Sequence, residues 1–210
     1  MDKVDDIIII MGKGRDSNSY IIGETLIDPG SGENIDYLKD EIRAAGLEMT
    51  DIKKIVNTHC HYDHIGADKQ LQDEYGYEIY MHPLDIQTVN EKDPVATCAA
   101  SFDAQVPDLD IKELNEGDKI EGYEVIHTPG HTRGGICLFD GKSLISGDTI
   151  FSGGNFGRID LPTGDRMQMK ESILKISELD AVQLFSGHGP YAISQVPEQI
   201  ALSVMIASRI

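Results

Sequence analysis

The chain has 210 residues, 40% of them hydrophobic, which is enough to bury a sizeable core as one domain spanning 1–210. Its formal net charge of −18 argues against a general nucleic-acid or anionic-membrane partner, because both would repel it. Three cysteines without regular spacing make no disulfide framework, and the acidic run Asp2 to Asp6 leads into an apolar stretch too short for a signal or membrane segment; the expected compartment is a reducing cytoplasm.

In chain order, Ile7–Met11, Ser19–Ile22 and Thr25–Ile27 read as short strands joined by glycine-containing turns. Asp28-Pro29-Gly30 ends the third strand. Asp28 reads either as a turn former or as an acceptor that pins a later loop. Ile35, Leu38, Ile42 and Ala45 recur with helical period, and Gly46 closes that helix. A strand within Asp51–Asn57 then leads into Thr58-His59-Cys60-His61-Tyr62-Asp63-His64.

That stretch organises the chain. On an extended segment residues i and i+2 point the same way, so His59 and His61 can grip one cation. If the backbone then turns into a helix, Asp63 and His64 project towards a second one. Cys60, between the two ligands, should face away and behave as a small buried apolar residue.

Helices are expected over Ala67–Tyr75 and from His82-Pro83 to Glu91, with a strand at Glu78–Met81 between them. His82 precedes a proline and reads as a helix N-terminal residue. Asp93–Asp110 contains two prolines and no period, and a loop of that length reads as a lid. Cys98 within it, like Cys137, has no His or Cys neighbour and reads as a structural or surface thiol. Strands follow at Lys119–Glu121, Glu124–Ile126, Ile136–Phe139 and Ser143–Ile145, then a helix at Asp165–Leu179, a strand at Val182–Phe185 and a closing helix at Pro197–Ile210. Two strand-rich halves without strict strand–helix alternation predict an α/β protein of two sheets packed face to face with helices outside.

Three later segments supply further ligands. His131 in Thr128-Pro129-Gly130-His131, Asp148 in Ser146-Gly147-Asp148, and His188 in Ser186-Gly187-His188-Gly189 each stand just past a strand beside glycine. His59, His61 and His131 would hold one ion, Asp63, His64 and His188 another, with Asp148 bridging. His127, at a strand end, is expected to make a hydrogen bond instead. Mixed His/Asp sites accept zinc, iron or manganese, and two zinc ions are expected.

His59-x-His61-x-Asp63-His64, His131, Asp148 and His188, in that order, resemble the metallo-β-lactamase superfamily. The resemblance implies a four-layer αββα sandwich with two metals at one edge of the sheets. Within it, His-Thr-Pro-Gly-His-Thr (127–132), Gly-Asp-Thr-Ile-Phe (147–151) and Ser-Gly-His-Gly-Pro (186–190) are similar to glyoxalase II and its short relatives. Asp148 stands where several true β-lactamases carry Cys, which lowers an antibiotic-hydrolysing reading. Arg158 matches a glutathione-binding cation of glyoxalase II, but Asp160 replaces the aromatic residue two positions on. Some twenty residues follow His188, where full glyoxalase II carries a further helical region.

The resemblance and the ligand set together imply hydrolysis of a thioester, a small-molecule acyl-thiol, by hydroxide held between two cations. Asp63 would ligate and also orient the nucleophile as the catalytic residue. Arg158 and Arg133 are the candidates for a substrate carboxylate. Thr58-His59-Cys60-His61 and Gly157-Arg158-Ile159-Asp160 are also similar to persulfide dioxygenases, which use a single iron, and that is the alternative function. A non-catalytic metal-binding protein is the third class; sites with an open water position point to catalysis instead.

Overall fold

The computed structural model describes residues 2–209. The first sheet runs in the order β1 (Asp2–Val4), β2 (Ile7–Ile10), β3 (Ser19–Ile22), β4 (Thr25–Ile27), β5 (Lys54–Val56), β6 (Glu78–Met81) and β7 (Ile111–Glu113). Its first four strands pair antiparallel and the rest parallel, with Ile9 opposite Tyr20 and Ile27 opposite Val56. The second sheet contains β8 (Lys119–Ile120), β9 (Tyr123–His127), β10 (Ile136–Phe139), β11 (Ser143–Gly147) and β12 (Gln183–Ser186) in the order β12-β11-β10-β9-β8. Only β11 and β12 pair parallel there.

The strands are apolar on both sides because both faces are covered. Ile7, Ile9, Tyr20, Ile22, Ile27 and Val56 of the first sheet meet Tyr123, Val125, Ile136, Leu138, Ile145 and Phe185 of the second. The intervening positions Ile10, Ile21, Leu26, Ile55 and Ile79 point the other way, onto Leu38 and Ile42 of α1 (Ile35–Ala44) and Leu71 of α3 (Asp68–Tyr75). On the second sheet Ile126, Cys137, Leu144 and Leu184 face Met169, Ile173 and Ile176 of α5 (Arg166–Ser177) and Ile200 of α6 (Val196–Ala207). Period-two alternation therefore builds a four-layer αββα sandwich, each fully buried Ile, Leu or Val contributing about 1.5–3 kcal/mol.

Local chemistry ends the helices as the sequence predicts. Asp165 caps α5 by accepting from the Met167 and Gln168 amides at 2.8 and 2.9 Å. Gly46, in the left-handed region just beyond α1, bonds back to Arg43 O at 2.9 Å. His82 is the N-cap of α4 (Pro83–Asn90). The strands β1 and β7 are additions to the sequence reading: both are three-residue edge elements with one partly buried apolar residue, Val4 or Ile111, and two exposed polar ones, so neither shows an apolar period. The Asp93–Asp110 segment contains a short 3-10 turn at Ala99–Phe102. Among the described residues no helix is long and apolar enough to cross a membrane.

Candidate metal centre

The ends of β4, β5, β9, β11 and β12 come together at one edge of the sandwich, and the segments that follow them carry the site. Two backbone bonds fasten that edge: Ile136 N donates to Thr58 O at 2.8 Å across the two sheets, and Gly187 N to Gly147 O at 2.8 Å. The chain leaves β5 extended as far as His61, which has φ −73° and ψ 145°, and only then turns into the short helix α2 (Tyr62–Ile65). This is the extended-then-helical path that aims two pairs of ligands in two directions.

The seven predicted ligands converge. The donor atoms of His59, His61 and His131 lie within 4.8 Å of one another, as do those of Asp63, His64 and His188, and those of His59, His64 and Asp148. Asp148 stands between the groups, with Oδ1 3.5 Å from His64 Nε2 and Oδ2 3.4 Å from His131 Nε2 and 3.6 Å from His188 Nε2. His188 Nε2 is 3.0 Å from Asp63 Oδ2, and His61 Nδ1 is 2.8 Å from His131 Nε2.

Surrounding acceptors decide which ring nitrogen faces inwards. His64 Nδ1 is 2.8 Å from Asp28 Oδ2, and His131 Nδ1 is 2.7 Å from the carbonyl of Arg158, so both rings present Nε2 to the centre. Thr58 Oγ1 donates to Asp28 Oδ2 at 2.6 Å and lies 3.1 Å from His59 Nδ1, which directs His59 Nε2 inwards. Among the described residues the buried atoms His59 Nε2, His61 Nε2 and Asp148 Oδ1 make no hydrogen bond. Leaving such groups unpaired costs about 1–3 kcal/mol each, and a cation satisfies imidazole and carboxylate lone pairs that no protein donor reaches. The donor set fits divalent metal.

Charge in the cluster points the same way. Burial, reinforced by the neighbouring rings, drives the His59 pKa well below its ordinary value and that of His61 down to about 3. Burial opposes ionisation of Asp63 and Asp148, but His64 next to them holds both carboxyls below their usual range. Burial likewise works against His64 and His188, and the carboxylates outweigh it: Asp28 raises His64, and the bond to Asp63 raises His188. A field that favours a proton on those two rings favours a cation at the same spot, with the protons released on binding.

Two buried aspartates tie the ligand-bearing backbone together. Asp28 does more than form a turn, since its Oδ1 accepts from Thr58 N at 2.8 Å while Oδ2 takes Thr58 Oγ1 and His64. Asp85, on α4, gave no signal in the sequence. It accepts from Cys60 N at 2.9 Å, Thr132 Oγ1 at 2.7 Å and Gly134 N at 2.7 Å, so it joins the His59–His61 loop to the His131 turn. Those partners lie 25, 47 and 49 residues away, beyond any local pattern. Gly130, with φ +133°, lets the His131 turn lie directly on Met169, where a Cβ would collide with its backbone.

The remaining candidates divide. A cavity of about 430 Å³ opens over the ligands, with Phe102, Phe151, Phe156, Leu161, Cys98 and Arg158 in its wall. The Asp93–Asp110 segment therefore helps shape the site. Cys98, a free and partly buried thiol, lies in that wall, where its backbone is left-handed at φ +60°. Burial and then Asp63 push its thiol up to about 11, so it stays protonated. Cys60 behaves as expected, buried beside Ile65 and Met81 with its amide on Asp85. His82 and His127 also keep out of the cluster: their rings stack at 4.0 Å, and His127 Nε2 is 2.9 Å from Arg133 O. The two proposed substrate arginines do not meet. Arg158 faces the cavity, bonded to Asp160, whereas Arg133 lines a separate cleft with His127, Pro129 and Gln168.

With this geometry established, comparison with known proteins is direct. The family model of the metallo-beta-lactamase superfamily matches residues 12–188. A probable metallo-hydrolase of Methanocaldococcus jannaschii, MJ0888, is 38% identical over 194 residues, covering 87% of this chain and 92% of that protein. The hydroxyacylglutathione hydrolase GloC of Haemophilus influenzae is 35% identical over 182 residues, covering 79% of this chain and 80% of its own. Among solved structures, that of TTHA1623 in a di-iron-bound form superposes with a TM-score of 0.76 at 29% identity, covering 88% of this chain and 93% of that one.

Proposed function

Because this chain belongs to the metallo-beta-lactamase superfamily, we propose that it is a metal-dependent hydrolase whose substrate is a small-molecule thioester. The observation that carries the hydrolase reading is the carboxylate of Asp148, set between two donor groups that both turn unpartnered or inward-facing nitrogens towards it. The relationship to GloC and the largely apolar cavity support the thioester.

In this reading His59, His61 and His131 would hold one ion and Asp63, His64 and His188 a second, with Asp148 available to both. Zinc is the proposed occupant, with iron the competitor, as N/O-rich sites accept both. When bound, the two ions supply hydroxide at neutral pH and polarise the carbonyl oxygen, worth several kcal/mol in the transition state. The protein's own part is geometric. Asp28, Thr58 and the Arg158 carbonyl lock the imidazole tautomers, so no reorganisation is needed as charge develops. Of the two carboxylates in the proposed ligand set Asp63 is the more exposed, at about one-fifth, and in this reading it orients the nucleophile through its second oxygen. Phe102, Phe151 and Phe156 offer an apolar wall against which an acyl-thiol would pack. A thiolate leaving group needs little protonation, so no separate general acid is required.

The test is hydrolysis of a thioester panel by zinc-loaded and iron-loaded protein, with oxygen consumption followed in parallel. Thiol release without oxygen uptake is the expected result. Oxygen uptake with a glutathione persulfide, and no thioester hydrolysis, would establish the single-iron dioxygenase instead.

A further inference from the structure

The hydrolase reading fixes the bond that breaks and leaves open what the sulfur is attached to. The cavity limits that. Its wall is built from Phe102, Phe151, Phe156 and Leu161, and Arg158 is the one Lys or Arg side chain that lines it among the described residues. That guanidinium is already engaged. Its Nε donates to Asp160 Oδ1 at 2.9 Å and its Nη2 to Asp160 Oδ2 at 2.8 Å, a two-pronged pairing that occupies its Nε–Nη2 edge and offsets its charge.

A second arginine, packed on a residue of the cavity wall, is paired with a carboxylate as well. Arg15 lies over the ring of Phe102, 4.1 Å from its centroid. It pairs with Glu33 and donates to Ser101 O at 2.6 Å, with Asp16 and Asp103 close by. Arg158 and Arg15 thus each carry a carboxylate partner, on a protein of net charge −18. A thiol such as glutathione, with two carboxylates of its own, would have to displace Asp160 or lie beside it against that background.

Resting on the thioester reading, we propose that the thiol half of the substrate is uncharged and apolar next to its sulfur, and that Asp160 sets this specificity by neutralising Arg158. The sequence had marked Arg158 as a carboxylate binder; its neighbour two residues on cancels that role. Both partners are about two-thirds exposed, so Asp160 tunes selectivity without abolishing binding. An exposed pair of this kind is worth up to about fivefold in affinity at low salt.

The experiment compares two thioesters with the same lactoyl group, one on glutathione and one on N-acetylcysteamine, using zinc-loaded wild type, Asp160→Asn and Asp160→Glu. Binding of the unreactive S-methyl derivative of each thiol is followed by calorimetry. Wild type is expected to favour the N-acetylcysteamine ester in kcat/KM. Asp160→Asn should shift the KM ratio towards glutathione by about two- to fivefold and tighten S-methylglutathione by a similar factor, both effects fading at high salt. Asp160→Glu should restore the wild-type ratio. If wild type prefers the glutathione ester, or Asp160→Asn leaves the ratio and the calorimetry unchanged while both esters are hydrolysed, the specificity assignment falls and the hydrolase stands. If metal-loaded protein hydrolyses neither, the thioester reading falls and takes the specificity assignment with it.

Discussion

Replacing Asp28 with Asn exchanges one carboxylate oxygen for an amide nitrogen at nearly constant volume, in a side chain that is essentially fully buried. The native carboxylate accepts three donors, Thr58 N on one oxygen and Thr58 Oγ1 and His64 Nδ1 on the other. An amide cannot reproduce this. If its NH2 faces Thr58 N, two donors are pressed together. If it faces His64, the ring must change tautomer, placing its proton on Nε2, the atom 3.5 Å from Asp148 Oδ1 and 3.4 Å from His188 Nε2. Either arrangement forfeits a hydrogen bond to a charged acceptor, about 1.5–3 kcal/mol. Felt at the ligand, such a loss weakens metal binding about 10- to 100-fold. Competition titration against a chromophoric zinc chelator should resolve two sites and show the larger loss at the one containing His64. Affinities within twofold of wild type at both sites, in a variant with an unchanged melting profile, would refute the claim that Asp28 fixes the His64 tautomer.

Asp148→Ala should weaken both sites together and remove most of the turnover, because one side chain serves both donor groups; a variant that keeps normal metal content would end the bridging assignment. Asp85→Ala strips the acceptor from three buried donors and should lower the urea-unfolding free energy of metal-free protein by about 3–5 kcal/mol, a loss under 1 kcal/mol contradicting its role as a tie. His82 gives a pH signature away from the metals. Burial and then His127 lower its pKa to about 4, against roughly 6.5 unfolded, so its contribution is full above pH 6.5 and is lost as pH falls from there towards 4. That contribution is up to about 3 kcal/mol. His82→Asn, which keeps an N-cap acceptor, should flatten the stability curve in this window, and an unchanged slope would disprove the assignment.

Much of the fold and the site was legible because it rests on local rules. Alternating apolar residues announced the sheets, and Gly46 and His82 announced helix ends, since period and capping act over a few residues. The His59–His64 spacing implied its own extended-then-helical path. The glycines beside His131, Asp148 and His188 marked strand ends that can approach a crowded centre. What escaped depends on contacts distant in sequence. Asp85 resembles any acidic residue in a first helical turn until three partners from two other segments meet it. Cys98 lies in the cavity wall, its backbone left-handed, in a loop with no period. Arg158 and Arg133 matched in residue type, but their surroundings separate them: one is neutralised at the cavity wall, the other turned into a different cleft. The edge strands β1 and β7 lack the buried alternation that makes strands visible.

The central claim is that imidazoles and carboxylates from four separated segments form one centre for a pair of cations. It is tested most directly by elemental analysis of protein produced with ample zinc and iron and freed of loosely bound metal. Close to two metal ions per chain is the predicted result, falling sharply in Asp148→Ala. A content near zero, or a single iron insensitive to replacement of Asp63 or His188, would contradict it.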